Sequence, residues 1–217
     1  KLWRRRLMSK EATHALIDAD VLLYRLGFSA DSQMKKELQE IVARENPDWT
    51  EQEVKDNAVL RLDYEDYAHY AYGNLNKAMD IILEGRTHYD MLLTGQGNFR
   101  EGVATILPYK GNRDTKHKPK YYNELKQYMF DHWNAELIEG EEADDAMAKR
   151  QWAKRDKSTI IVTIDKDLDQ IPGWHYNPAT KETYYITLDQ GNYFFFWQML
   201  VGDSADNIPT SICQKKK

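Results

Sequence analysis

Acidic residues recur just after short apolar segments that predict β-strands, and again near the C-terminus. They are Asp18, Glu142, Asp144, Asp145, Asp165, Asp167, Asp203 and Asp206. Two like unit charges about 4 Å apart repel by about 4 kcal/mol at an effective dielectric constant of 20. Because a bound divalent cation removes that repulsion, the pattern predicts a metal-dependent active site.

Three of the acidic groups also have a purely structural explanation. The acids at 142–145 open a predicted helix, where negative charge stabilises the helix dipole by about 0.3–1 kcal/mol per residue. The segment 165–169 has the spacing of an EF-hand loop, but Gln170 stands where that loop needs glycine, so a turn with acidic N-caps is the alternative. Asp203 and Asp206 would likewise serve as caps after Gly202. The joint occurrence of all the groups favours the metal site.

A second set of residues is basic, with tyrosines interleaved. Its members are Tyr109, Lys110, Arg113, Lys116, Lys118, Lys120, Tyr121 and Tyr122. Such a run is usually solvated surface, but in a chain of net charge -5 a local basic stretch with aromatics favours contact with phosphates and bases. Cations beside a metal site also suit phosphoryl chemistry, because they offset charge on the reacting phosphate. No P-loop or HExxH pattern is present, which argues against an NTPase and a zinc protease.

Composition sets broad limits. With 217 residues, 41% hydrophobic and 30% charged, the chain suits one domain, or one domain with a helical subdomain. Its single cysteine, Cys213, excludes an internal disulfide and fits a reducing compartment. No apolar run is long enough to span a membrane. Since 1–7 is basic without an apolar run after it, and Met8 is a natural start, we expect 1–14 to be a disordered extension.

The acids must be positioned by a sheet. Apolar strands alternate with helical patterns, which predicts an α/β fold with a mostly parallel central sheet flanked by helices. Thr50 with Glu53 predicts a capping box, Asp63 an N-cap and Gly85 a helix stop. The predicted strands are 15–17, 89–93, 136–138, 158–164 and a hairpin of 174–176 with 183–188. The predicted helices are 21–28, 32–84 in several pieces, 121–133, 142–154 and 193–201.

Five segments together resemble the flap endonuclease and 5′→3′ exonuclease family, whose nuclease domain has a PIN-like fold. They are Leu16–Asp20, Tyr109–Arg113, Gly140–Asp145, Thr163–Asp167 and Gly202–Asn207. The Lys118-Pro119 passage and the long helical stretch between the first two strands look most like phage-encoded 5′→3′ exonucleases. The resemblance implies a nuclease domain over 15–209, with a helical insertion at about 30–86 and a truncated tail at 210–217.

The resemblance also implies a role for each site residue. Asp18, Glu142 and Asp144 would hold a first Mg²⁺ or Mn²⁺, supported by Asp145. Asp165, Asp167, Asp203 and Asp206 would hold or orient a second ion. Lys110 and Arg113 would contact the scissile phosphate and, with Asp18 and Asp165, form the catalytic set. Tyr109 would stack near the displaced base, and Lys116, Lys118 and Lys120 would contact nucleic acid.

Two positions depart from the family pattern. Counting back from Phe99-Arg100, Gly95 stands where the family usually has an aspartate, so the first ion would be held more loosely or through water, and Asp20 is a candidate to compensate. The segment after Pro209 lacks the glycine-rich hairpin that grips duplex DNA in the family. Either the chain is truncated here or the anchor is lost, and both alternatives put duplex affinity, and a potassium site in that motif, in question.

The function expected is a two-metal 5′→3′ exonuclease or structure-specific flap endonuclease, acting in replication or repair. Its partner would be DNA with a 5′ end or branch, or the RNA of an RNA/DNA hybrid, in the cytoplasm of a bacterium or phage-infected cell. Three alternatives stay open: a PIN-type ribonuclease, a degenerate protein that binds branched nucleic acid without cutting it, and a metal-binding structural protein.

Overall fold

The computed structural model describes residues 12–104, 106–111, 117–154 and 157–210. The chain divides into two compact units, each described by itself below. The sheet unit takes its described residues from 1–21, 81–116 and 134–217, and the helical unit takes its own from 22–80 and 117–133. No described helix is both long and apolar enough to cross a membrane.

The sheet unit is built on six strands formed by the described residues. They are β1 (His14–Asp18), β2 (His88–Thr94), β3 (Glu136–Ile138), β4 (Thr159–Val162), β5 (Gly173–Asn177) and β6 (Glu182–Ile186). Their order is β3-β2-β1-β4-β5-β6, and only the β5/β6 hairpin is antiparallel. The predicted mostly parallel sheet and its terminal hairpin are therefore confirmed.

Helices follow or connect these strands. They are α1 (Ala19–Glu45), α2 (Glu51–Leu62), α3 (Ala68–Ile82), α4 (Arg100–Val103), α5 (Tyr122–Trp133), α6 (Ala143–Ala153) and α7 (Leu188–Val201), with a 3₁₀ segment at Lys166–Gln170. The helical unit contains α2, α5 and most of α1 and α3, whereas α4, α6, α7 and the 3₁₀ segment belong to the sheet unit.

One apolar cluster holds α6 against the sheet. Leu16, Leu92 and Ile161 from three neighbouring strands pack with Met147 of α6 and with Leu168 of the 3₁₀ segment. These five side chains are almost fully buried. Their packing places the first turn of α6 and the start of the 3₁₀ segment beside the carboxyl ends of β1 and β4.

Several helix boundaries differ from the predictions. The capping box of Thr50 with Glu53 is confirmed, but Asp63 is the C-cap of α2 rather than an N-cap, because α3 begins only at Ala68. The first helix runs without a break through the predicted gap at 29–31. The last helix begins at Leu188, five residues early, because Thr187 and Gln190 form a second capping box that also ends β6.

The chain ends were predicted to lie outside the domain. Ala12 is buried and β1 already begins at His14, so the sheet starts before the expected boundary at residue 15. Residues 1–11 and 211–217 lie outside the described residues.

Candidate active site

Asp18 and Asp165 stand at the carboxyl edge of the sheet and share a threonine. Asp18 ends β1, is only 2% exposed, and accepts hydrogen bonds from the Val21 amide (3.0 Å) and the Thr163 hydroxyl (2.7 Å). The same hydroxyl oxygen accepts from the Asp165 amide at 2.9 Å. Because β1 and β4 are paired in parallel, Thr163 fixes both acids at one edge.

Asp144 joins this edge from the first turn of α6. Burial raises its pKa to about 8, and the charges of Asp18, Asp165 and Glu142 act in the same direction. Burial also raises the pKa of Asp18 to about 6, although the hydrogen bonds from Val21 and Thr163 oppose the shift. Asp18 and Asp144 are therefore close enough for the charge of one to act on the other, and the opposing charge of Lys110 does not cancel the rise at Asp144.

Asp167 and Asp203 form the next pair. Asp165 caps the 3₁₀ segment by accepting from the Asp167 amide at 2.8 Å. Burial raises the pKa of Asp167 to about 6, with further contributions from the charges of Asp165 and Asp203. For Asp203, burial is outweighed by hydrogen bonds to its carboxylate, first from the Ala205 amide, so its pKa lies below the ordinary value.

Asp206 belongs to a turn that follows α7. Gly202 ends the helix at φ 73°, and Asp203 then pairs with Ile208 in an antiparallel bridge. The Asp206 carbonyl accepts from the Lys110 amide at 3.2 Å, and its carboxylate accepts from the Tyr109 hydroxyl at 3.1 Å. The turn thereby anchors the segment that carries the predicted phosphate-binding lysine.

Protein cations hold two of the predicted metal ligands. Lys110 forms an ion pair with Glu142, which also accepts from the Tyr109 hydroxyl at 2.9 Å. Arg100 grips Asp145 through both terminal nitrogens, with Nη2 at 2.7 Å from Oδ1. Burial and the hydrogen bond to Glu142 raise the pKa of Tyr109 above its usual range.

Three participants were not predicted as site residues: Arg100, Thr163 and Gln198. For Arg100 the sequence does carry a signal of a site residue, because Arg100 ends the glycine-rich loop after the second strand. Thr163 lies between the end of β4 and Asp165, but a threonine there reads equally well as an ordinary strand residue. Gln198 lies in an apolar helix and has no sequence signal for a site.

The other predicted basic residues lie in the helical unit or outside the described residues. Arg113 and Lys116 lie outside the described residues. In the helical unit, the Lys120 ammonium donates to the carbonyls of Leu62 (2.9 Å), Asp63 (2.8 Å) and Glu65 (2.8 Å), and so caps the end of α2. Lys118 lies 4.2 Å from the ring centroid of Tyr122. Their contacts with nucleic acid stay predictions.

Gly95 is required by its surroundings. A Cβ atom at this position would lie 2.6 Å from the Ile138 carbonyl oxygen and 2.7 Å from the carboxyl carbon of Glu139. The Gly95 amide donates to that same carbonyl at 2.7 Å. Asp20 accepts from the Thr94 amide at 2.9 Å, so one of its oxygens is already committed. Compensation by Asp20 stays a prediction.

The donor chemistry fits a hard divalent cation. Carboxylate oxygens are the ligands that Mg²⁺ and Mn²⁺ prefer, and burial together with neighbouring acids raises the pKa of Asp18 and Asp144, a rise that a bound cation would oppose. Within the described ranges, no three Asp, Glu, His or Cys side chains already form a group that could hold an ion. Glu142 and Asp145 are instead paired with Lys110 and Arg100.

The sheet and the edge built on it define an α/β protein with the flap-nuclease fold. No protein-family model and no curated protein matches the sequence. Among solved structures, the chain is similar to the T5 D15 protein co-crystallised with metal ions: 15% identity, TM-score 0.55, covering 93% of this chain and 70% of that one. At this level of identity the likeness establishes the fold.

The chain is similar in fold to two further solved structures. One is T5 5′-exonuclease with bound zinc, at 16% identity and TM-score 0.54, covering 92% of this chain and 70% of that one. The other is a bacteriophage T5 flap endonuclease variant in a pseudo-enzyme–product complex with DNA and metal ions, at 16% identity and TM-score 0.50, covering 93% of this chain and 71% of that one.

Proposed function

We propose that this protein is a metal-dependent 5′ nuclease that hydrolyses DNA phosphodiesters as a 5′→3′ exonuclease or a structure-specific flap endonuclease. The observation that carries the proposal is the convergence of Asp18, Asp144 and Asp165 at one sheet edge, where burial and the charge of Asp165 raise the pKa of both Asp18 and Asp144. The solved structures with the same fold support it, because one is a 5′-exonuclease and another is a flap endonuclease in complex with DNA.

The roles of the residues follow from their chemistry. Asp18, Glu142 and Asp144 would hold one ion with Asp145 in support, and a second ion would be held or oriented by Asp165, Asp167, Asp203 and Asp206. Bound divalent ions supply an activated water and stabilise the leaving oxygen. Lys110 and Arg113 would position the scissile phosphate and offset its charge. Water adds to phosphorus and the bond to the 3′ oxygen breaks, leaving a 5′-phosphate and a 3′-hydroxyl.

Cleavage of labelled DNA tests the proposal. With Mg²⁺ or Mn²⁺, 5′-labelled flap and duplex substrates should release short 5′ products, and Asp165→Ala should abolish the release. Lys55→Ala is the control, because Lys55 is exposed and pairs with Glu51 within the helical unit. Absence of cleavage with both cations would contradict the proposal. A strong preference for RNA over the same DNA sequence would indicate the ribonuclease alternative instead.

Gly95 favours a second candidate, a protein that binds branched nucleic acid without cutting it. The backbone around Gly95 leaves no room for the aspartate that the family pattern has there. This candidate predicts salt-sensitive DNA binding that weakens in Lys110→Ala, with no turnover. Turnover that disappears in Asp165→Ala would exclude it.

A further inference from the structure

Helix α7 places a glutamine between two acids of the candidate site. The Gln198 side-chain nitrogen donates to Asp167 Oδ1 at 2.8 Å and to Asp203 Oδ2 at 3.3 Å. Asp167 lies in the 3₁₀ segment and Asp203 follows α7, so one side chain links acids from separate parts of the sheet unit.

The amide has only one orientation that satisfies these contacts. A primary amide nitrogen carries two hydrogens, and Gln198 directs one toward each carboxylate. Its oxygen accepts from the side-chain nitrogen of Gln170, the last residue of the 3₁₀ segment. The reversed amide would turn its oxygen toward both carboxylates and its nitrogen toward another donor. The two carboxylates therefore set which end of Gln198 faces them, and Gln170 holds the amide oxygen at the other end.

The backbone that carries Gln198 is seated closely. Gly191 is the buried residue of α7, and a Cβ atom there would lie 2.5 Å from the Gln170 carbonyl oxygen. At its start the helix is capped by Thr187, which accepts from the Gln190 amide at 3.2 Å. At its end, Gly202 turns the chain toward Asp203. Both ends of α7 are thus fixed relative to the acids.

The neutral amide of Gln198 affects its acids differently from the cations that pair with Glu142 and Asp145. Lys110 and Arg100 neutralise Glu142 and Asp145. Gln198 contacts one oxygen each of Asp167 and Asp203 and brings no positive charge that would compete with an incoming cation. The other oxygen of Asp203 accepts from the Ala205 amide at 2.8 Å.

We propose that Gln198 is a positioning residue, which holds the carboxylates of Asp167 and Asp203 in the orientation that binds the second divalent ion. The inference rests on the proposed function, since it assigns a determinant of ion affinity within that site. Outer hydrogen-bond partners of metal ligands typically affect metal affinity by about 10–100-fold.

Mn²⁺ alone is the probe, with free ion measured by electron paramagnetic resonance during a titration. Gln198→Met keeps the length of the side chain and removes both donors. We expect one class of Mn²⁺ sites to lose affinity by about 10–100-fold while the other class is unchanged. In cleavage assays, the Mn²⁺ concentration for half-maximal rate should rise by a similar factor, and kcat at saturating Mn²⁺ should recover.

Gln190→Met is the matched control, because Gln190 lies on the same helix and serves only the capping box. It should lower thermal stability slightly and leave Mn²⁺ binding unchanged. Should Gln198→Met fail to fold, Gln170→Met tests the same contact, because it removes the group that holds the Gln198 amide oxygen. We expect that variant to weaken the same class of sites.

The outcomes separate the two proposals. A wild-type protein that binds Mn²⁺ and cleaves DNA, with a folded Gln198→Met variant of unchanged Mn²⁺ affinity, would overturn the role of Gln198 alone. Equal loss of Mn²⁺ affinity in the Gln190 control would also overturn it, because the effect would then be one of helix stability. A wild-type protein that neither binds Mn²⁺ nor cleaves DNA would overturn the proposed function itself.

Discussion

At the scale of single residues, Asp144 makes the stability of the folded protein depend on pH. Its pKa is raised from 3.8 to about 8, first by burial and then by the charge of Asp18. A raised carboxyl pKa means that the folded state favours the neutral form. The stability from this group is therefore fully present below about pH 4 and is lost as the pH rises through about 8.

Asp144→Asn should therefore stabilise the metal-free protein in alkaline solution. Each unit of pKa shift corresponds to about 1.4 kcal/mol, so a gain on the order of 1–3 kcal/mol at pH 9 is expected after allowing for relaxation around the charge. Urea denaturation in EDTA at several pH values would measure it. The gain should vanish near pH 4, and a difference that does not change with pH would contradict this explanation.

Gly95 gives a second prediction at this scale. Gly95→Asp should not restore an ion ligand but should lower the free energy of unfolding by about 1–3 kcal/mol, because the new Cβ meets the Ile138 carbonyl oxygen at 2.6 Å. Gly102→Ala is the control, since a Cβ at Gly102 meets nothing within 4 Å and α4 tolerates alanine. Thermal unfolding compares the two. Tighter Mn²⁺ binding by a stable Gly95→Asp variant would show the reasoning to be wrong.

At the scale of elements, sequence pattern predicted the sheet well because its strands are short and apolar with clear flanking signals. β4 was evident from its run of Thr, Ile and Val, and α6 from its acidic first turn. Boundaries set by one polar side chain were harder. Aspartate at position 63 could begin or end a helix. It ends α2 because the next helix begins only at Ala68. Thr187 suits both a strand and an N-cap, so the start of α7 was misplaced.

Prediction of the site residues from sequence was limited in a similar way, because residues with local signals could be found and their distant partners could not. Acids at strand ends can be read from sequence, because a parallel sheet brings such positions together. The pairing of Arg100 with Asp145 spans 45 positions, and that of Gln198 with Asp167 spans 31. Polar partners so far apart leave no periodic signal in the chain. Only the packing of α6, α7 and the 3₁₀ segment brings them into contact.

The second capping box provides a test for an element. Thr187→Ala should lower the free energy of unfolding by about 1 kcal/mol and speed hydrogen exchange of amides in the first turn of α7. Thr50→Ala removes the equivalent box of α2 and should cost a similar amount. Its faster exchange should appear at the start of α2 only. Unchanged exchange at 188–191 in Thr187→Ala would contradict the role of the cap.

At the scale of the whole molecule, the net charge of -5 reflects in part the acids gathered in the site. A cation that binds the folded state and not the unfolded chain stabilises by about 2.7 kcal/mol at 100 times its dissociation constant. Mg²⁺ or Mn²⁺ should therefore raise the melting temperature at pH 8, and Asp144→Asn should reduce the rise. Sodium chloride at equal ionic strength is the control. An equal effect of sodium and magnesium would argue against specific ion binding.

The contact between Lys110 and Glu142 has a consequence for how the ligands of such a nuclease would cooperate. Under the proposed function, the Lys110 ammonium would bind a phosphate and the Glu142 carboxylate would bind an ion. In this structure the two groups instead form an ion pair with each other. Whichever ligand arrives first releases the group that its companion needs. Linkage then requires the ion and the nucleic acid to strengthen each other's binding by the same factor. The pairing of Lys110 with Glu142 would therefore keep the nuclease inactive until both the ion and the nucleic acid are bound.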